Sequence, residues 1–198
     1  MRRILVLMIG LGLLVATPGL ATADITRSAT NQKAVDLVIA RALSQRGVPF
    51  AYGGGGASGP SKGTVAAPTP EEPQVAADPL GAVPGLNLSP VAPAPVLPAA
   101  PAPRIEVVGF DASGLMVYAY AGAGVKLPRS SGEQYKVGQK VVPSMALPGD
   151  LIFYGPEGTQ SVALYIGNGQ MVETTDKGVA VSPVRTANMT PYLVRIIA

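Results

Sequence analysis

Four side chains stand out as able to do chemistry in this chain: Asp111, Ser113, Ser161 and Glu173. What is missing narrows their options. The 198 residues include no histidine and no cysteine. There is therefore no imidazole base, no thiol nucleophile, no disulfide and no ordinary zinc site. Ser-His-Asp and Cys-His mechanisms are excluded. A Ser113 nucleophile would need a base within hydrogen-bond reach. The lysines Lys126, Lys136, Lys140 and Lys177 give no Ser-x-x-Lys spacing. Asp111 and Glu173 could act as a carboxylate pair only at the right separation across a sugar. Asp111 has a simpler reading, as the cap of a helix that starts at Ala112. No metal or cofactor is implied.

Composition bounds the rest. Hydrophobic residues make up 47% of the chain and charged residues 14%, enough to bury the core of one ordinary domain. The formal charge is +3, but Arg2 and Arg3 lie in a segment expected to be removed. Without them, 13 basic residues face 12 acidic ones. No basic stripe with interleaved aromatics is present, so no nucleic-acid partner is expected.

The elements that must position the four residues follow from pattern. Residues 1–23 read as an export signal: Arg2-Arg3, the apolar run Ile4 to Val15, then the small-x-small site Ala21-Thr22-Ala23. The competing reading is an uncleaved anchor, but about a dozen apolar residues fall short of the roughly 20 that span a bilayer. The expectation is a secreted, cell-wall or periplasmic protein with no stable membrane anchor after cleavage. Asn31 to Arg46 predicts an amphipathic helix through Val35, Val38, Ile39 and Ala42, with Thr30 or Asn31 as cap and Gly47 as its end. Ala112 to Ala121 predicts a second helix. Ser130 with Glu133, and Ser131 with Gln134, are overlapping capping boxes for a short third. Strands are predicted over Leu151 to Tyr154, Val162 to Ile166, Gln170 to Thr174, Val179 to Val181 and Tyr192 to Ile197.

Between these blocks, Gly53 to Arg104 reads as low complexity. Of 20 prolines, 12 lie from Pro60 to Pro103. Proline fixes φ and lacks a donor, so polyproline II and disorder are expected there, with neither helix nor central strand. The domain plan is a signal at 1–23 and one domain over 24–198, interrupted at about 56–104 by this Pro/Ala-rich insertion; closing a long loop costs little. The insertion is either a plain spacer or a tether over the cleft whose walls it joins.

Several of these motifs together resemble the NlpC-type peptidoglycan endopeptidases. Gly109-Phe110-Asp111-Ala112-Ser113-Gly114-Leu115 is similar to the family's nucleophile motif, with Ala112 where the family has cysteine. Leu127 to Ser131 with Gln134 follows as in the family. So do Pro148 to Tyr154 and Ser161 to Gly167, where Ser161 stands in the histidine position. Glu173 takes the third polar position that orients the histidine, and Tyr52 in Pro49 to Gly55 takes an aromatic cleft position. The resemblance spans roughly residues 31–55 and 105–198.

It implies a papain-like α+β fold with N-terminal helices on an antiparallel sheet. It also implies a cleft for bacterial cell-wall stem peptides, typically cut between D-glutamate and diaminopimelate. With a methyl group at 112 and a hydroxyl at 161, neither nucleophile nor base remains, so no enzymatic activity is expected. The expected substrate-binding residues are Tyr52, Asp111, Ser113, Arg129 and Ser130. Asp111 is expected as a cap or a holder of a stem-peptide amine. Arg129 is either a plain surface charge or a cleft cation near stem-peptide carboxylates, and Tyr52 is equally a core residue or a ligand platform. Glu173 is left to hydrogen-bond Ser161. The expected partners are peptidoglycan stem peptides, with other cell-wall hydrolases as the alternative. One geometric condition goes with this reading. Ser161 and Glu173 share a sheet face only if the hairpin register shifts by one, which a three-residue Gly167-Asn168-Gly169 loop with a bulge would do.

Overall fold

The computed structural model describes residues 27–67 and 103–198. The export signal at 1–23, and the part of the Pro/Ala-rich stretch at 68–102, lie outside the described residues. In chain order the elements are α1 (Ala29–Leu43), β1 (Ser61–Ala66), β2 (Arg104–Gly109), α2 (Ala112–Ala121), α3 (Ser131–Lys136), β3 (Gln139–Val141), β4 (Leu151–Tyr154), β5 (Ser161–Gly167), β6 (Gln170–Thr175), β7 (Gly178–Pro183) and β8 (Leu193–Arg195). All three helices precede the strands of the main sheet, the α+β architecture expected, but the β1–β2 pair is interposed between α1 and α2.

Six strands form one antiparallel sheet in the order β3-β8-β4-β5-β6-β7. Each strand of its centre alternates between two apolar layers. Leu151, Phe153, Val162, Leu164 and Val172 meet Val38, Ala42, Leu115, Met116 and Ala119 of the helices. Ile152, Tyr154, Ala163 and Met171 point to the other face, under Val184 and Met189. Helix α2 is buried along most of its circumference, with Leu115, Met116, Ala119 and Tyr120 fully enclosed. Its apolar composition therefore places it between α1 and the sheet. Among the described residues no helix is long and apolar enough to cross a membrane.

Several expectations need correction. Helix α1 starts two residues earlier than predicted, because Ser28 rather than Thr30 or Asn31 is its cap, accepting from the Asn31 amide at 3.2 Å. It also ends at Leu43, ahead of Arg46. Ser61–Ala66 is a strand although it falls inside the stretch read as structureless. The low-complexity reading averaged over 52 residues, whereas this segment contains no proline and pairs along its whole length with β2. Strands β2 and β3 were not predicted, and β8 is shorter than its pattern suggested. The hairpin register does shift by one, but by another route. Gly167 pairs directly with Gln170 across a two-residue Asn168-Gly169 turn with φ of 51° and 68°. The shift lies between Tyr165 and Gly167, leaving Ile166 as the bulged residue.

The layers are tied at one buried carboxylate. Asp150 is fully buried and bonds both Arg27, at 2.9 Å, and Arg195, at 2.8 and 2.9 Å. Arg27 also donates to the carbonyls of Pro148 and Ile197, fastening the segment before α1 to the sheet. Removing one partner of such a cluster strands buried charge. Asp150→Ala is therefore expected to cost about 3–5 kcal/mol, read as a lowered midpoint in urea unfolding followed by circular dichroism.

Candidate functional site

The site begins at the N-terminus of α2. Asp111 takes an extended conformation and caps the helix through Gly114 N, at 2.6 Å. That is only one of its duties. Asp111 Oδ1 also accepts from Ser113 Oγ at 3.1 Å and Arg129 Nη1 at 2.8 Å. Asp111 Oδ2 accepts from Gly53 N at 3.0 Å and Arg129 Nη2 at 2.7 Å. Arg129 in turn donates to Ser113 Oγ at 2.8 Å and to the Gly54 carbonyl at 2.9 Å. One carboxylate and one guanidinium thus join the Tyr52–Gly55 loop, the start of α2 and the segment before α3. Gln134, fully buried, adds bonds from its Nε2 to the carbonyls of Ser113 and Pro128.

These walls enclose a cleft of about 680 Å³ that includes Tyr52, Asp111, Ala112, Ser113, Arg129, Ser130, Ser131, Ser161 and Thr174. The volume suits a peptide-sized ligand. All five residues expected to bind substrate line it, and Ala112 and Ser161 meet there. Tyr52 is 68% exposed at its rim, so it is not a core residue. Ala112 presents a methyl group where the helix start would acidify a thiol. Thr174 Oγ1 is buried without a hydrogen-bond partner among the described residues.

Two expectations fail. Glu173 does not line the cleft. It is 5% exposed, on the sheet face of Tyr154 and Met171, and bonds Arg185 at 2.5 Å rather than Ser161. The Arg185 guanidinium also lies 4.2 Å from the centre of the Tyr154 ring. The second failure is Asp111 as holder of a ligand amine, because its oxygens are engaged in the five bonds above. Phe50 lines the cleft, within the Pro49 to Gly55 segment read as cleft-lining, but sequence reasoning missed Glu133, Thr159, Gln160 and Thr174 as lining residues. Thr174 was legible: it lies two residues from Val172, hence on the helix side of β6. Nothing local announces Arg185, whose partner lies two strands away.

Residues 98–198 match the model of the NlpC/P60 family. The chain belongs to the NlpC/P60 family. It is 44% identical over 186 residues to the peptidoglycan endopeptidase RipB of Mycobacterium tuberculosis, covering 92% of this chain and 62% of RipB. It spans only 28% of the peptidoglycan endopeptidase RipA of the same organism. Among solved structures it is 56% identical to M. tuberculosis RipD, with a TM-score of 0.59 over 82% of this chain and 97% of that one. RipD is described as a non-catalytic NlpC/p60 domain protein adapted to peptidoglycan binding. RipA has been solved in forms mutated at a cysteine, a histidine and a glutamate, which lie 49 and 12 positions apart. Ala112, Ser161 and Glu173 stand at the same intervals.

The close approach of α2 to the loop gives a sharp test. A Cβ on Gly114 would lie 2.4 Å from the Gly54 carbonyl oxygen. Helix propensity alone favours alanine at this position. The clash is expected to dominate, so Gly114→Ala should lower stability by about 1–3 kcal/mol in urea unfolding.

Proposed function

We propose that this protein holds peptidoglycan by its stem peptides without cutting it, in the cell wall of the organism that exports it. The single observation that carries the reading is a walled cleft with neither thiol nor imidazole in it. Ala112 and Ser161 occupy the positions that match the cysteine and histidine of RipA by interval. The chain contains no cysteine or histidine anywhere that could take over. The Asp111–Arg129 network keeps the walls in place although the chemistry is gone. The family membership supports the substrate class, and the description of RipD supports the non-catalytic role.

Mechanistically, holding a peptide here needs only shape and hydrogen bonds. Tyr52 offers an apolar face at the rim. Ser130, Ser131, Ser161 and Thr174, with the start of α2, line the space a peptide backbone would fill. A backbone carbonyl bound there meets neither a thiolate nor an imidazole. Ser161 cannot take a proton near neutral pH, and Ser113 Oγ is held between Asp111 and Arg129.

The test is sedimentation of the purified protein with insoluble peptidoglycan. The protein is expected in the pellet, with equal retention from about pH 5.5 to pH 7.5, because no imidazole titrates in this range. Protein that stays in the supernatant at low salt would overturn the reading and favour the alternative, a partner of active hydrolases. A steep loss of retention through this range would contradict a lining without imidazole.

A further inference from the structure

The charges of the cleft say which stem peptides it can hold, an inference that rests on the proposed function. Among the described residues, three that line the cleft are charged: Asp111, Arg129 and Glu133. Arg129, its side chain 44% exposed, would be the natural receptor for a ligand carboxylate, but four of its five N–H donors are already engaged. Its two Nη nitrogens make four bonds, two to Asp111 and one each to Ser113 Oγ and the Gly54 carbonyl. Its charge is cancelled by the Asp111 carboxylate at 2.7 Å. The α2 N-terminus would attract an anion, yet that same carboxylate already sits on it. Glu133 adds a negative charge at the cleft wall. Its partner Lys136, 2.9 Å away, is not among the lining residues, and both side chains are 60% exposed. Apart from the Glu133 carboxylate, what remains available to a ligand is neutral: hydroxyls, amides and the Tyr52 ring. A carboxylate entering this space loses water and gains no cation in return. A carboxamide keeps its hydrogen bonds and loses far less.

We infer that the cleft selects stem peptides whose carboxyl groups are carboxamides over the same peptides carrying free acids. The network that builds the walls is thereby also what removes the positive charge an acid would need. Asp111 and Arg129 together set specificity by cancelling one another.

The experiment is isothermal titration calorimetry with two synthetic stem peptides that differ only in a carboxylate or carboxamide at the glutamyl residue. The amide is expected to bind about fivefold more tightly at low salt, with the gap closing as salt rises. Asp111→Asn keeps a cap oxygen but leaves the Arg129 charge uncancelled, so it should abolish or reverse the preference. Glu133→Gln, on an exposed side chain, should narrow it by about half and serves if Asp111→Asn fails to fold. Equal affinity for the two peptides, or tighter binding of the acid, overturns the inference and leaves the proposed function standing. If neither peptide binds and insoluble peptidoglycan is not retained, the proposed function itself falls.

Discussion

The cleft depends on one carboxylate. Asp111 caps the helix that carries Ala112, receives the Gly53 amide of the facing loop, and holds Arg129, which returns to the Gly54 carbonyl. Charge-assisted bonds of this kind are stronger than neutral ones and fix direction as well as distance. Three segments from separate parts of the chain are thus held in one geometry. The side chain at 112 plays no part in that geometry, so the walls stay built around a methyl group there.

The other half of the site is held separately. A buried carboxylate without a cation is costly. Glu173 avoids this through Arg185, stacked on Tyr154 on the sheet face away from the helices. The sheet end therefore needs no imidazole at 161 to stay satisfied. With the two polar networks each closed on themselves, the cleft between them is lined by hydroxyls and amides, with Glu133 as the one lining charge that neither network cancels among the described residues. The proposed binding and the proposed preference for carboxamides over acids both rest on this separation.

Much of this was legible in the residues. Asp111 as a cap, α2 to the residue, and β4 were read from local grammar, where a cap, an apolar run and a glycine act within a few positions. Ser130 as a cap and the Asn168-Gly169 turn were equally local. What failed was long-range or averaged. β1 disappeared inside a window whose prolines begin in earnest only after Ala66. The register shift was anticipated, but a bulge at Ile166 and a longer loop have the same effect on register, and the sequence does not distinguish them. The convergence of Glu173 with Ala112 was expected from resemblance, and register alone put Glu173 and Ser161 on one face. The guanidinium that takes up the carboxylate comes from beyond β7, a pairing no spacing rule contains. Asp111 was read as a cap correctly, but the saturation of its oxygens depends on Gly53 and Arg129, far away in sequence.

The central claim is that a stem peptide sits in this cleft and leaves it uncut. The most direct measurement is a titration of isotopically labelled protein with a muropeptide, followed by nuclear magnetic resonance, with mass spectrometry of the peptide afterwards. Shifts are predicted at the amides of Gly53, Ala112, Ser113, Ser130, Ser131 and Ser161, together with a peptide of unchanged mass. Shifts confined to another surface, or a cleaved peptide, would contradict the claim.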